Sequence, residues 1–120
     1  MEKLTHQEEE AMLIIWSVGS GVIKDFLDKY TEPVPPYTTL ASVVKNLHRK
    51  GYLEAKLYGN TYLYSPRITE EEYKNKFISG IVDNYFDNSY RKMVTFFAQK
   101  QKISTEELKE IIRIIENNQN

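Results

Sequence analysis

Thr38, Thr39, Ser42, Lys45, Asn46 and Arg49 recur three to four residues apart, a spacing that gathers them on one side of a helix. Every one of these side chains can hydrogen-bond, two are cations and none is an acid. Hydroxyls and an amide pair with edge donors and acceptors while cations sit beside phosphate, so the set suits a polyanion whose edges carry such groups. Other chemistry is poorly supplied. The absence of cysteine excludes disulfides, thiolate metal sites and cysteine nucleophiles, and fits a reducing compartment. His6 and His48, the two histidines, have no base, nucleophile and orienting group around them, so no enzyme is expected. The Glu8, Glu9, Glu10 triplet reads as a solvated helix start, because no histidine stands at ligand spacing. No metal or cofactor is expected. The nine tyrosines fall on helix stripes and hairpin pairs, which favours packing over stacking on single-stranded bases.

The element that must carry the polar set runs from Tyr37 to Gly51. Its opposite side holds Leu40, Val43, Val44 and Leu47 at i, i+3, i+4, i+7, one apolar stripe for a core. Gly51 ends it, because glycine enters the left-handed conformation without steric cost. Two helices precede it. Thr5 to Val18 opens with the capping box of Thr5 and Glu8 and buries Met12, Ile15 and Trp16. Val22 to Tyr30 follows, and then Pro33, Pro35 and Pro36 force an extended connector. Three helices in this order make a helix-turn-helix arrangement.

Beyond Gly51 the periodicity alternates. Tyr52 to Tyr58 and Thr61 to Tyr64 flank Gly59-Asn60, the signal of a hairpin with a primed turn. In that register Tyr58 pairs Thr61, Leu57 pairs Tyr62 and Ala55 pairs Tyr64, giving Ala55, Leu57, Tyr62 and Tyr64 an inner face. A hairpin directly after the third helix is a wing, and a winged helix-turn-helix is most often a DNA reader. The net charge of −1 counts against nucleic acid for the chain as a whole. Charge position matters more, because screening confines each charge to about 8 to 10 Å. From Thr38 to Tyr64 the cations Lys45, Arg49, Lys50 and Lys56 face the single anion Glu54.

After Pro66 the pattern is helical to the end. Thr69 with Glu72 opens a helix carrying Tyr73, Phe77, Ile81 and Tyr85 to about Asp87. Tyr90 to Lys100 carries Met93, Val94, Phe96 and Phe97, and Ser104 with Glu107 opens a last helix carrying Leu108, Ile111, Ile112 and Ile115. Stripes this rich in Phe, Tyr and Ile need a facing surface, and a symmetric dimer supplies one. The fold class is therefore mainly α with a small β-hairpin wing: a winged helix-turn-helix over residues 1–67 and a helical dimerisation domain over 68–120. The longest apolar run, Ala11 to Trp16, is far short of the roughly 20 residues a membrane span needs. The first ten residues lack the basic-then-apolar order of a secretory signal, so no membrane insertion and a cytoplasmic location are expected.

In order and spacing the chain resembles the penicillinase-repressor family. The carriers are Leu4-Thr5 with Met12 and Trp16, Tyr37-Thr38-Thr39, Leu47 before Lys50-Gly51, Gly59, Tyr64-Ser65-Pro66 and Glu71-Glu72-Tyr73. The resemblance implies a homodimeric transcriptional repressor on a pseudo-palindromic double-stranded DNA operator. It implies base and backbone contacts at Thr38, Thr39, Ser42 and Asn46, with Lys50, Lys56 and Asn60 near phosphate. Asn46 replaces the arginine many relatives carry, and an asparagine suits an adenine edge. Copper-responsive members use a cysteine cluster that this chain lacks. In β-lactam-responsive members a membrane-bound sensor protease pathway cuts an Asn-Phe bond, whose matching pair here is Phe96-Phe97 as the candidate cleavage site. A different reading of the same elements is a winged-helix module that docks a protein, without specific DNA binding.

Overall fold

The computed structural model describes residues 2–118, and its elements follow from local sequence. Helix α1 spans His6–Val18. The Thr5 hydroxyl accepts from the Glu8 N–H at 3.2 Å and the Glu8 carboxylate accepts from the Thr5 N–H at 2.8 Å, so the expected capping box forms in both directions. Helix α2 is only Ile23–Leu27, shorter than the apolar spacing through Tyr30 suggests, because Asp28 and Lys29 turn the chain out of the helix. Helix α3 spans Tyr37–Arg49. Gly51 follows at φ +87°, where its N–H donates to His48 O and the Tyr52 N–H donates to Leu47 O. Those two bonds are the Schellman pattern, and they turn Tyr52 and Leu47 into the core together.

Strands β1, Leu53–Tyr58, and β2, Thr61–Pro66, pair antiparallel in the expected register, with Tyr58 opposite Thr61, Leu57 opposite Tyr62 and Ala55 opposite Tyr64. Of the two turn residues Gly59 alone has a positive φ, the pattern of a type II′ turn. The expected inner face is inner only at the base. Tyr64 is buried and Ala55 half-buried, but Leu57 and Tyr62 are 56% and 51% exposed, because the hairpin outruns the helices beneath it.

The core joins Ala11, Met12 and Ile15 of α1, Phe26 of α2, Leu40, Val44 and Leu47 of α3, and Leu53, Tyr64 and Ile68. Helix α4, Glu70–Tyr85, begins against this core. The Trp16 indole N–H donates to Ile68 O at 2.9 Å, and the Tyr73 hydroxyl donates to the Glu9 carboxylate at 2.8 Å. The Tyr73 ring lies 5.4 Å from Trp16 and 6.1 Å from Tyr52. Tyr73, expected on the dimer surface, therefore belongs to the winged module. The chain divides into compact units Met1–Lys74 and Asn75–Asn120, so the first turn of α4 goes with the module, beyond the expected division after residue 67.

In the second unit α4 ends at Tyr85, and the turn after it holds Asp87 and Asn88, both at positive φ. Helix α5, Tyr90–Gln99, is capped by the Ser89 hydroxyl, which accepts from the Lys92 N–H. Helix α6, Thr105–Asn118, starts with the reciprocal bonds of Ser104 and Glu107. The Phe86 and Phe96 rings meet at 5.6 Å. Among the described residues of this unit only Val82 is buried. Phe77, Tyr85, Val94, Phe96, Phe97, Ile111, Ile112 and Ile115 are all substantially exposed, and so is Ile114. Met93, Ile81 and Leu108 are half-buried.

Candidate nucleic-acid interface

The outer side of α3 is set by what its inner side buries. Leu40, Val44 and Leu47 are inside, which leaves Thr38, Ser42, Lys45, Asn46 and Arg49 exposed. Thr38, Ser42, Lys45 and Asn46 make no side-chain hydrogen bond or ion pair within the described residues, so their donors are free for a ligand. Arg49 lies 3.6 Å from Glu2, both side chains 62% exposed. An open pair of that kind is worth about 0 to 1 kcal/mol and yields to a stronger partner. Thr39 stands apart from this set. It is half-buried and lines a hollow of about 480 Å³ with Gln7, Glu10, Tyr30 and the proline connector.

Lys50, expected beside phosphate, is turned inward. Its ammonium donates to the Glu8 carboxylate at 2.6 Å and to Lys3 O at 3.0 Å, and the two side chains are 9% and 4% exposed. Burial would raise the Glu8 carboxyl, but the Lys50 ammonium and the Thr5 N–H outweigh it and hold the group below the usual carboxylate range. Glu8 is thus a buried anchor as well as a helix cap, a role the sequence analysis missed. A signal was present: Glu8 shares the i, i+3, i+4, i+7 stripe with Ala11, Met12 and Ile15.

On the hairpin Lys56 is exposed, its ammonium 5.8 Å from the centre of the Tyr58 ring. Asn60 stands exposed in the turn. His48 lies edge-on to Tyr64 with ring centres 6.4 Å apart, and His6 is exposed at the start of α1. Among the described residues no three His, Cys, Asp or Glu side chains are grouped to hold a metal ion, and no helix is long and apolar enough to cross a membrane.

An exposed, acid-free polar helix, a two-strand hairpin directly behind it and a helical second unit define a winged-helix protein of the repressor type. Its chain belongs to the penicillinase repressor family, whose profile matches residues 4–117. It is similar to the penicillinase repressor of Bacillus licheniformis, 25% identical over 98% of this chain and 93% of that one. The methicillin resistance regulatory protein MecI of Staphylococcus aureus strain N315 is 21% identical over 94% of this chain and 93% of its own. MecI of Mammaliicoccus sciuri is 20% identical over the same shares. These relatives are regulators by name and not enzymes.

Proposed function

We propose that this protein is a cytoplasmic transcriptional repressor that binds a pseudo-palindromic operator as a homodimer. Thr38, Ser42, Lys45, Asn46 and Arg49 of each α3 enter the major groove, and Lys56 and Asn60 of each hairpin lie beside the backbone. The observation that carries this reading is the open side of α3, where unpartnered donors stand with no acid among them. Two copies place two such helices about one turn of duplex apart. The half-exposed Phe and Ile side chains of the second unit supply the surface by which two copies join.

The test is titration of genomic DNA fragments, including the region upstream of the gene itself, with sequencing of what is retained at two salt concentrations. A short inverted repeat bound by two copies with a steep salt dependence is expected. Weak, sequence-indifferent retention would sink the reading and leave α3 as a protein-docking face. In that case the loss of Lys45 and Arg49 together would leave salt dependence unchanged.

Release follows from the same geometry. Phe96 and Phe97 sit within α5, 44% and 39% exposed. Phe97 matches the Asn-Phe pair cut in β-lactam-responsive members and Phe96 does not, and a cut at this bond would detach α6 from the dimer surface. Loss of bivalency alone lowers affinity by orders of magnitude and leaves α3 untouched. A designed protease site at this bond checks the step, with DNA retention expected to fall on cutting.

A further inference from the structure

The cations of the winged module are sorted by partner. Lys50 is held by Glu8, Arg67 lies 3.6 Å from Glu54, and Arg49 leans on Glu2. Lys24 and Lys45 have no carboxylate partner among the described residues, and both line one cleft of about 310 Å³ between α2, α3 and the hairpin. Tyr37, Asn60, Thr61 and Tyr62 line it too, and no acid does. Asp25, next to Lys24 in the chain, is turned to the backbone, accepting from the Val22 N–H at 2.9 Å. The floor is buried Tyr64, tied to Gly21 by paired backbone bonds of 2.8 and 3.0 Å. Burial pushes the Tyr64 phenol up, and the nearby Tyr62 and Tyr37 hydroxyls add to it, so three phenols gather at this spot. Two uncompensated ammonium groups facing hydroxyl and amide donors on a rigid floor are the complement of a single phosphodiester.

We propose that this cleft seats one backbone phosphate of the operator in each half-site, with Lys24 and Lys45 supplying the charge and Tyr37 and Thr61 the hydroxyl donors. The inference rests on the DNA-binding reading and adds Lys24 on α2, Tyr37 at the first residue of α3 and Thr61 at the start of β2 to the contact set. Lys45 lies both on the open side of α3 and in the cleft, so the phosphate would be gripped next to the base edges being read. The seat fixes the angle at which α3 enters the groove and carries no sequence information of its own.

The experiment measures the salt dependence of the full-length protein on its retained DNA fragment for wild type, Lys24→Gln, Tyr37→Phe and the control Lys29→Gln, an exposed lysine outside the cleft. Because Lys24 is exposed, its replacement leaves the fold intact, which circular dichroism verifies. Each seated phosphate adds about 0.9 to the log–log salt slope and is shared by Lys24 and Lys45, so Lys24→Gln is expected to lower the slope by about one in the dimer. Its preference among fragments should stay unchanged. Tyr37→Phe should weaken binding several-fold with the slope retained, and Lys29→Gln should do neither. If wild type binds with a steep slope and Lys24→Gln matches it, this inference fails while the repressor reading stands. If wild type shows no salt-dependent binding, both fail. Thermal stabilisation by inorganic phosphate alone, lost in Lys24→Gln with the DNA slope unchanged, would assign the cleft to a free anion and overturn the operator contact.

Discussion

Lys50 shows how far a single side chain can depart from the role its sequence position suggests. It closes the polar run of α3, yet its ammonium is spent on Glu8 and on the carbonyl of Lys3. Removing one member of such a buried pair leaves the other charge uncompensated, at a cost of about 3 to 5 kcal/mol. Lys50→Ala is therefore expected to lower stability by that amount in urea unfolding. Its effect on the salt slope of DNA binding should be small, the reverse of the behaviour expected for Lys45→Ala. The sign of the pH dependence follows from Glu8. Its carboxyl is held below the usual range in the folded protein, so its contribution is complete above the unfolded value and is lost as pH falls through the lower folded one. Acid titration of stability should show a steeper decline for wild type than for Glu8→Gln, although the variant is weaker at neutral pH.

At the scale of elements, junctions carry the specificity of the fold. The end of α3 depends on Gly51 at φ +87°, with open space where a Cβ would stand. Substitution there meets strain of the backbone and no clash. Gly51→Ala should cost about 1 to 2 kcal/mol, and Gly51→Asn less, because asparagine tolerates the left-handed region. Thermal unfolding of the two variants checks the order. Equal losses would mean that crowding, and not the dihedral, sets the requirement. The start of α4 is a second junction: the Trp16 and Tyr73 bonds fasten it to the winged module. Burial and the Glu9 carboxylate both push the Tyr73 phenol up, so this clasp keeps its proton across the ordinary pH range.

The whole molecule pairs one unit that has a core with one that does not. The winged module buries side chains from all three of its helices and from the hairpin, whereas the second unit buries Val82 alone among its described residues. In the proposed dimer a unit with so little interior would gain stability by covering the same side chains on a second copy. Ile112→Glu is expected to convert dimers to monomers in sedimentation. DNA affinity should fall by about two to four orders of magnitude through lost bivalency alone. A variant that still sediments as a dimer would place the subunit contact elsewhere on the second unit.

What the sequence determined by itself was set within a few residues, though not the end of α2, which stops at Leu27. The Thr5–Glu8 and Ser104–Glu107 caps, the stop at Gly51, the Gly59-Asn60 turn and the register it imposes, and the polar outer side of α3 all depend on neighbours three or four positions away. Periodicity and turn chemistry report such neighbours directly. The tertiary structure decided the rest, because those outcomes depend on partners distant in sequence. Lys50 meets Glu8 across 42 residues and Tyr73 meets Glu9 across 64. No local pattern distinguishes an ammonium facing DNA from one facing a buried carboxylate. The exposure of Leu57 and Tyr62 is decided by where the helices beneath the hairpin stop. The cleft that gathers Lys24, Tyr37 and Thr61 exists only once α2, α3 and the hairpin are packed together, so these residues carried no signal while they lay apart along the chain.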